Sequence, residues 1–162
     1  MSCDVAMAAY LFLASAGPGG PPPQLSTAAL EAPKSVASEP LFADIVKRAA
    51  FLRTRVEGYR TPDLKASAAS RTLPEFDKFQ AQVAQLSQLD MQGHLELAKT
   101  GQDGDLKCIL KGISQDLTLK LKVVVEAQTG AAEDAALRDM YYLLRDNVEV
   151  ITTPPKADSV SG

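Results

Sequence analysis

The chain has 162 residues, of which 46% are hydrophobic and 23% are charged. This length suits one domain with a substantial core better than two domains. The net charge of -3 and the pI near 5.2 argue against a protein that coats nucleic acid or anionic lipid through bulk charge. The chain has two cysteines, Cys3 and Cys108. The sequence therefore predicts neither a disulfide framework nor a cysteine metal site.

An apolar run near the start of the chain, residues 7–16, ends in Ala14-Ser15-Ala16, as a signal-peptidase site does. The residues before it include Asp4 and no lysine or arginine, whereas a signal peptide needs a cationic start. We therefore expect a cytoplasmic protein, with export and cleavage after Ala16 as the alternative. The run is too short to span a bilayer, so no membrane partner is predicted.

The ends of the chain differ in composition from its middle. Residues 1–37 are rich in proline, glycine, serine and alanine, and such a segment buries too little apolar surface to offset the entropy of ordering it. We predict a disordered arm over 1–37 and a disordered tail over 154–162. Between them the sequence predicts an amphipathic helix over 38–60, a linker over 61–72 and a globular domain over 73–153.

The helix predicted over 38–60 has an apolar residue at every third or fourth position, which is the period of one helical face. This stripe consists of Leu41, Ile45, Ala49, Leu52, Val56 and Tyr59. An apolar helical face that a linker separates from the main domain is a candidate docking element. We predict that another protein, or a second copy of the chain, binds to Leu41, Ile45, Leu52 and Val56.

A second helix is predicted to begin at Thr72-Leu73-Pro74-Glu75, which has the form of a capping box with proline in the first turn. Its apolar stripe consists of Phe76, Phe79, Val83 and Leu86. The helical pattern fails after Leu89. From Gly93 onwards the apolar residues recur at every second position, which indicates strands.

The odd positions of residues 117–125 are all apolar, and threonine or lysine lies at three of the four positions between them, as in a strand buried on one face. Two shorter alternating segments, 94–98 and 106–111, are separated by an Asp-Gly turn that is typical of a β-hairpin. We predict that the three segments form an antiparallel meander. Its buried face is expected to include Leu110, Leu119 and Leu121.

A helix near residues 133–144 is predicted to cover this sheet, and residues 147–153 have the composition of a further strand. The expected fold is therefore α+β, with N-terminal helices, a three-stranded antiparallel meander covered by a helix, and a C-terminal strand. A competing interpretation makes residues 103–128 one long helix in an all-α four-helix bundle. Its apolar positions are Leu106, Leu110, Ile113, Leu117, Leu121 and Val124. Three consecutive valines and Gly112 favour the sheet.

The outer face of the predicted sheet carries four lysines: Lys107, Lys111, Lys120 and Lys122. Like charges on facing strands disfavour pairing, so this face is a candidate binding surface for a negatively charged partner. It supports an alternative function as a small nucleic-acid-binding or regulatory module.

The single histidine, His94, is not accompanied by a nucleophile motif, and the sequence has no phosphate-binding loop or paired metal-ligand spacing. We therefore predict no catalytic residue, no cofactor and no metal, with a small enzyme as the remaining alternative. The expected function is a non-enzymatic protein-interaction module of the adaptor or chaperone kind. Its partner is expected to be another protein or a second copy of the chain, and not nucleic acid.

Overall fold

The computed structural model describes residues 35–60, 69–101 and 104–153. These residues form four helices: α1 (Pro40–Tyr59), α2 (Phe76–Thr100), α3 (Gly104–Glu126) and α4 (Gly130–Thr152). Within them, no helix combines the length and the apolar character needed to cross a bilayer. The predicted arm up to residue 34, most of the predicted linker and the predicted tail lie outside the described residues.

Each helix packs against two neighbours, so α1 and α3 lie across the bundle from each other, as do α2 and α4. The turns between α2 and α3 and between α3 and α4 are short, which makes these pairs antiparallel. In the part of the chain that the structure describes, the only β-type pairing is an isolated bridge between Ala69 and Thr129. The predicted α+β fold is therefore wrong, and the all-α four-helix alternative agrees with the structure.

Residues 117–125, the predicted central strand, belong to α3. Of the alternating apolar residues, Leu117 is fully buried, whereas Leu119, Val123 and Val125 are each more than half exposed. The prediction that Leu119 lies in the core is thus wrong. The buried residues of α3 recur at helical spacing instead: Leu106, Leu110, Ile113, Leu117 and Val124.

Helix α2 continues about three turns beyond Leu89, so the strand predicted over 94–98 is part of this helix. Its buried positions follow one another at spacings of three and four, through Asp90 and Gly93. Helix α4 has the same spacing from Leu137 to Ile151, through Asn147. The C-terminal strand predicted over 147–153 is therefore also wrong, because residues 147–152 are the last turns of α4.

The predicted capping box does not form at the start of α2. Glu75 has a left-handed backbone with φ of 54°, and its side chain does not cap the helix. Its carboxylate forms ion pairs with Arg55 and Lys78. The Tyr59 hydroxyl donates a hydrogen bond to the carbonyl of Pro74 at 2.8 Å. Contacts with α1 therefore hold the segment that enters α2.

Helices α2 and α3 approach closely at small residues. The hydroxyls of Ser87 and Ser114 each donate a hydrogen bond to the backbone carbonyl of the other residue, at 2.8 and 2.7 Å. A methyl group at Gly93 would lie 3.1 Å from Leu110 Cδ1 and 3.2 Å from Phe42 Cε1. An alanine at Gly93 would therefore require these side chains to move by a few tenths of an ångström.

Candidate functional site

Four of the seven large apolar side chains that are exposed among the described residues belong to α3. Leu119 is 59% exposed and Val123 is 53% exposed. They lie one turn apart on the same side of the helix. Ile109, Gly112 and Asp116 continue this row towards the start of α3. We call the row the α3 outer stripe, and it consists of Ile109, Gly112, Asp116, Leu119 and Val123.

Members of the α3 outer stripe are alternately three and four positions apart, which is the repeat with which one helix packs along another. Helix α1, which could have covered α3, lies across the bundle from it. At Gly112, no neighbouring atom lies within 4 Å of the position that a Cβ would occupy. The stripe is therefore open to close approach by another helix, and none of the four described helices covers it.

Beyond one edge of the α3 outer stripe, three lysines make another side of α3 basic, and Lys122 is the one next to the stripe. Lys107, Lys111 and Lys122 are spaced so that they lie on the same side of α3. Lys107 and Lys111 form no ion pair with any residue that the structure describes. Lys122 lies 3.7 Å from Glu126, but both side chains are largely exposed, so this pair holds the lysine weakly. A helix bound on the stripe would therefore meet the positive charge of Lys122 at this edge.

Lys120 lies on the opposite flank, apart from the other three lysines. Its Nζ atom is 3.1 Å from Oδ2 of Asp139, a residue of α4. The ion pair thus links α3 to α4. The four lysines predicted to share one sheet face are consequently divided between two sides of a helix.

A shallow groove of about 390 Å³ continues the α3 outer stripe beyond the end of α3. It lies where α3 ends and α4 begins, next to Val123. Its lining consists of Val123, Glu126, Ala127, Gln128, Thr129 and Ala132. The apolar surface of the stripe therefore extends onto the turn between the two helices.

The docking residues predicted on α1 lie inside the bundle. Ile45, Leu52 and Val56 are buried, and Leu41 is half-buried against the same core. In this arrangement, their side chains stabilise the domain itself and present no apolar face to solvent. The exposed large apolar residue on α1 is Phe51, at 51%.

His94 lies at the contact between α2 and α3. The Nδ1 atom of His94 is 2.7 Å from the backbone carbonyl oxygen of Lys107. Cys108 is half-buried. Among the described residues, no three histidine, cysteine, aspartate or glutamate side chains are grouped so that they could hold a metal ion. His94 thus contributes a contact between two helices.

A larger cavity, of about 610 Å³, lies at the end of the bundle where α2 and α4 begin. Arg71 and Glu133 meet in its wall, and Glu133 is only 2% exposed. Glu133 accepts hydrogen bonds from the Arg71 backbone N–H at 2.6 Å and from the guanidinium at 2.9 and 3.1 Å. The guanidinium also donates to the carbonyl of Tyr59 at 2.8 Å. The pair thus fastens the end of α1 and the entry to α2 to the start of α4.

No protein-family model, curated protein or solved structure is significantly similar to this chain. Over the described residues, the protein is an antiparallel four-helix bundle. Bundles of this kind carry many unrelated functions. The function must therefore be inferred from the surface of the molecule.

Proposed function

We propose that this domain is a non-enzymatic protein-interaction module whose α3 outer stripe binds an amphipathic helix of another protein. The observation that carries the proposal is the pair Leu119 and Val123, both more than half exposed and one turn apart. Removing apolar surface from water contributes roughly 25 cal/mol per Å², so covering this row favours association. A helix laid into such a row contacts it through every third or fourth residue.

The charges beside the stripe specify the chemistry of the partner helix. Lys122 borders the apolar row on one side, and its exposed pair with Glu126 holds it weakly. A matching helix therefore has an apolar stripe with glutamate or aspartate along one flank. In such an interface the apolar row supplies most of the affinity, and the charges set orientation and association rate.

Nucleic acid matches this surface less well than an acidic helix does. Affinity for nucleic acid depends mainly on the number of phosphates that are neutralised. Here the chain has a net charge of -3, and Lys120 is engaged with Asp139 on the far flank. An apolar row between the lysines suits a protein helix, because phosphate gains nothing from Leu119 or Val123.

The test is photo-crosslinking in the native host, with a photoreactive amino acid in place of Leu119. The matched control carries the same group in place of Leu95 on α2, which is 52% exposed and lies off the stripe. We expect a crosslink at position 119 only, to a segment whose sequence predicts an amphipathic helix with an acidic flank. That segment, made as a synthetic peptide, should bind the purified protein.

Substitutions on and off the α3 outer stripe then test whether the peptide binds to this stripe. Leu119→Asp should weaken binding of the peptide at least tenfold, and Leu95→Asp should leave it unchanged. Binding should weaken with added salt because the charge of Lys122 takes part. Crosslinks of equal yield at both positions would overturn the proposed surface. A crosslink from position 119 to a second copy of this chain would overturn the proposal of a different protein as partner.

A further inference from the structure

Asp90 of α2 and Asn147 of α4 meet in the interior of the bundle, each with no exposure to solvent. The Nδ2 atom of Asn147 donates a hydrogen bond to Oδ2 of Asp90 at 2.9 Å. Asp90 follows Leu86 by four positions in the buried row of α2, and Asn147 lies between Leu144 and Ile151 in the buried row of α4. Two diagonally placed helices are thus joined by polar groups at positions where apolar side chains would ordinarily pack.

Two oxygen atoms of this pair, Oδ1 of Asp90 and Oδ1 of Asn147, are buried without a hydrogen-bond partner. An ionised carboxylate and an amide oxygen are both acceptors, so neither could satisfy the other. A protonated carboxyl group has one O–H donor. A single proton between the two oxygens would therefore satisfy both of them, which matters because a buried polar group without a partner is costly.

Among the residues that the structure describes, no cation pairs with the Asp90 carboxyl group. Burial raises its pKa to about 8, and the hydrogen bond from Asn147 acts in the opposite direction. Charged groups on the adjoining turns do not contribute to this shift. Two of these groups pair with each other on α1, Asp44 and Arg48, and two on α4, Arg145 and Asp146. The others are His94 of α2 and Lys107 and Lys111 of α3.

We infer that Asp90 and Asn147 form a neutral carboxylic acid–amide pair, closed by two hydrogen bonds, that acts as a proton-dependent lock across the bundle. In one bond the Asn147 amide donates to Oδ2 of Asp90. In the other, the Asp90 hydroxyl donates from Oδ1 to Oδ1 of Asn147. When the proton leaves, the second bond is lost, two acceptors face each other and an uncompensated charge remains in the core.

The direction of the pH dependence follows from the two states of Asp90. In the unfolded chain an aspartate loses its proton near pH 4, whereas in the folded chain the pKa of Asp90 is about 8. Between these values the folded chain retains a proton that the unfolded chain has lost. Stabilisation by this pair is therefore complete below about pH 4, falls as pH rises and reaches its minimum above about pH 8.

The test compares the native sequence with Asp90→Asn by chemical denaturation from pH 5 to pH 9. An amide at position 90 can close the same two hydrogen bonds without a titrating proton. The ratio of the unfolding constants, native sequence over variant, should rise about tenfold per pH unit from pH 5 to pH 7 and level off above about pH 8. The control is Asp77→Asn, because Asp77 is exposed on the same helix; its ratio should not change with pH. A ratio for Asp90→Asn that is independent of pH overturns the inference.

A second measurement needs no substitution and applies even if Asp90→Asn fails to fold. Carbon-13 NMR of the side-chain carboxyl carbons of the native protein reports the protonation of each aspartate. At pH 6 the Asp90 signal should have the shift of a carboxylic acid, and it should move to the carboxylate position with a midpoint near pH 8. A carboxylate shift at pH 6 overturns the inference.

Discussion

Asp90 and Glu133 are both buried carboxylic residues, but they lie at different depths of the same bundle. Glu133 is near one end, where 28% of the Arg71 side chain remains in solvent while the guanidinium contacts the carboxylate. Asp90 lies in the interior, where its hydrogen-bond partner is the Asn147 amide. The two sites therefore satisfy a buried carboxyl group with different chemistry.

Depth explains the choice of partner. A long arginine side chain can extend from the surface to a buried acid and keep part of its polar head near water. In the centre of the bundle an ion pair would require both charges to lose their hydration, and the attraction between them often fails to offset that cost. An amide together with one proton satisfies the central carboxyl group without any net charge. The comparison can be tested by removing each partner in turn.

The largest loss of stability is expected when the Arg71–Glu133 ion pair at the end of the bundle is broken. Arg71→Ala leaves Glu133 buried with only the backbone N–H of residue 71 as a donor from this segment. We expect the free energy of unfolding at pH 7, measured by urea denaturation, to fall by about 3 kcal/mol, the lower end of the range for a broken buried ion pair. The matched variant Glu133→Gln should cost less, because Arg71 can turn towards solvent. Equal losses would show that the depth of the remaining charge does not matter.

A smaller loss is expected in the interior. Asn147→Leu removes the amide and leaves Asp90 without a partner, which should lower the free energy of unfolding at pH 6 by about 1–3 kcal/mol. Replacing both residues with leucine should recover most of this loss, because no polar group is then left unpaired. A double variant that is no more stable than Asn147→Leu would show that the polar pair is required for packing.

The smallest effect is expected at Glu75, an exposed acid that serves as the reference for the two buried ones. Its left-handed backbone suits glycine better than a residue with a side chain. Its ion pairs with Arg55 and Lys78 are partly exposed and hold it weakly. Glu75→Gly should therefore raise the thermal unfolding midpoint by about 2–4 °C in calorimetry. The control Glu75→Ala retains the strain, and a midpoint for glycine at or below that of alanine would contradict this explanation.

Neither buried acid could be recognised as such from the sequence. In the row of apolar residues that becomes α2, Asp90 looks like the end of the row, and the predicted helical pattern accordingly stops at Leu89. The signal that could have found the pair is the unbroken spacing of three and four that continues through Asp90 to Leu97 and through Asn147 to Ile151. A polar residue that keeps such a spacing has its partner on another helix, and sequence order does not show which helix that is.

By itself, the sequence determined α1, since residues 40–59 fit the period of a helix and no other. It could not determine α3, because residues 117–125 satisfy the periods of both a strand and a helix. The tertiary structure decided between them, as α2 and α4 bury one side of α3 and no strand is available to pair with it among the described residues. The same packing placed Leu117 in the core and Leu119 on the α3 outer stripe. Two leucines in one short segment have the same intrinsic preference for burial, and only the position of the neighbouring helices makes one of them structural and the other available to a partner.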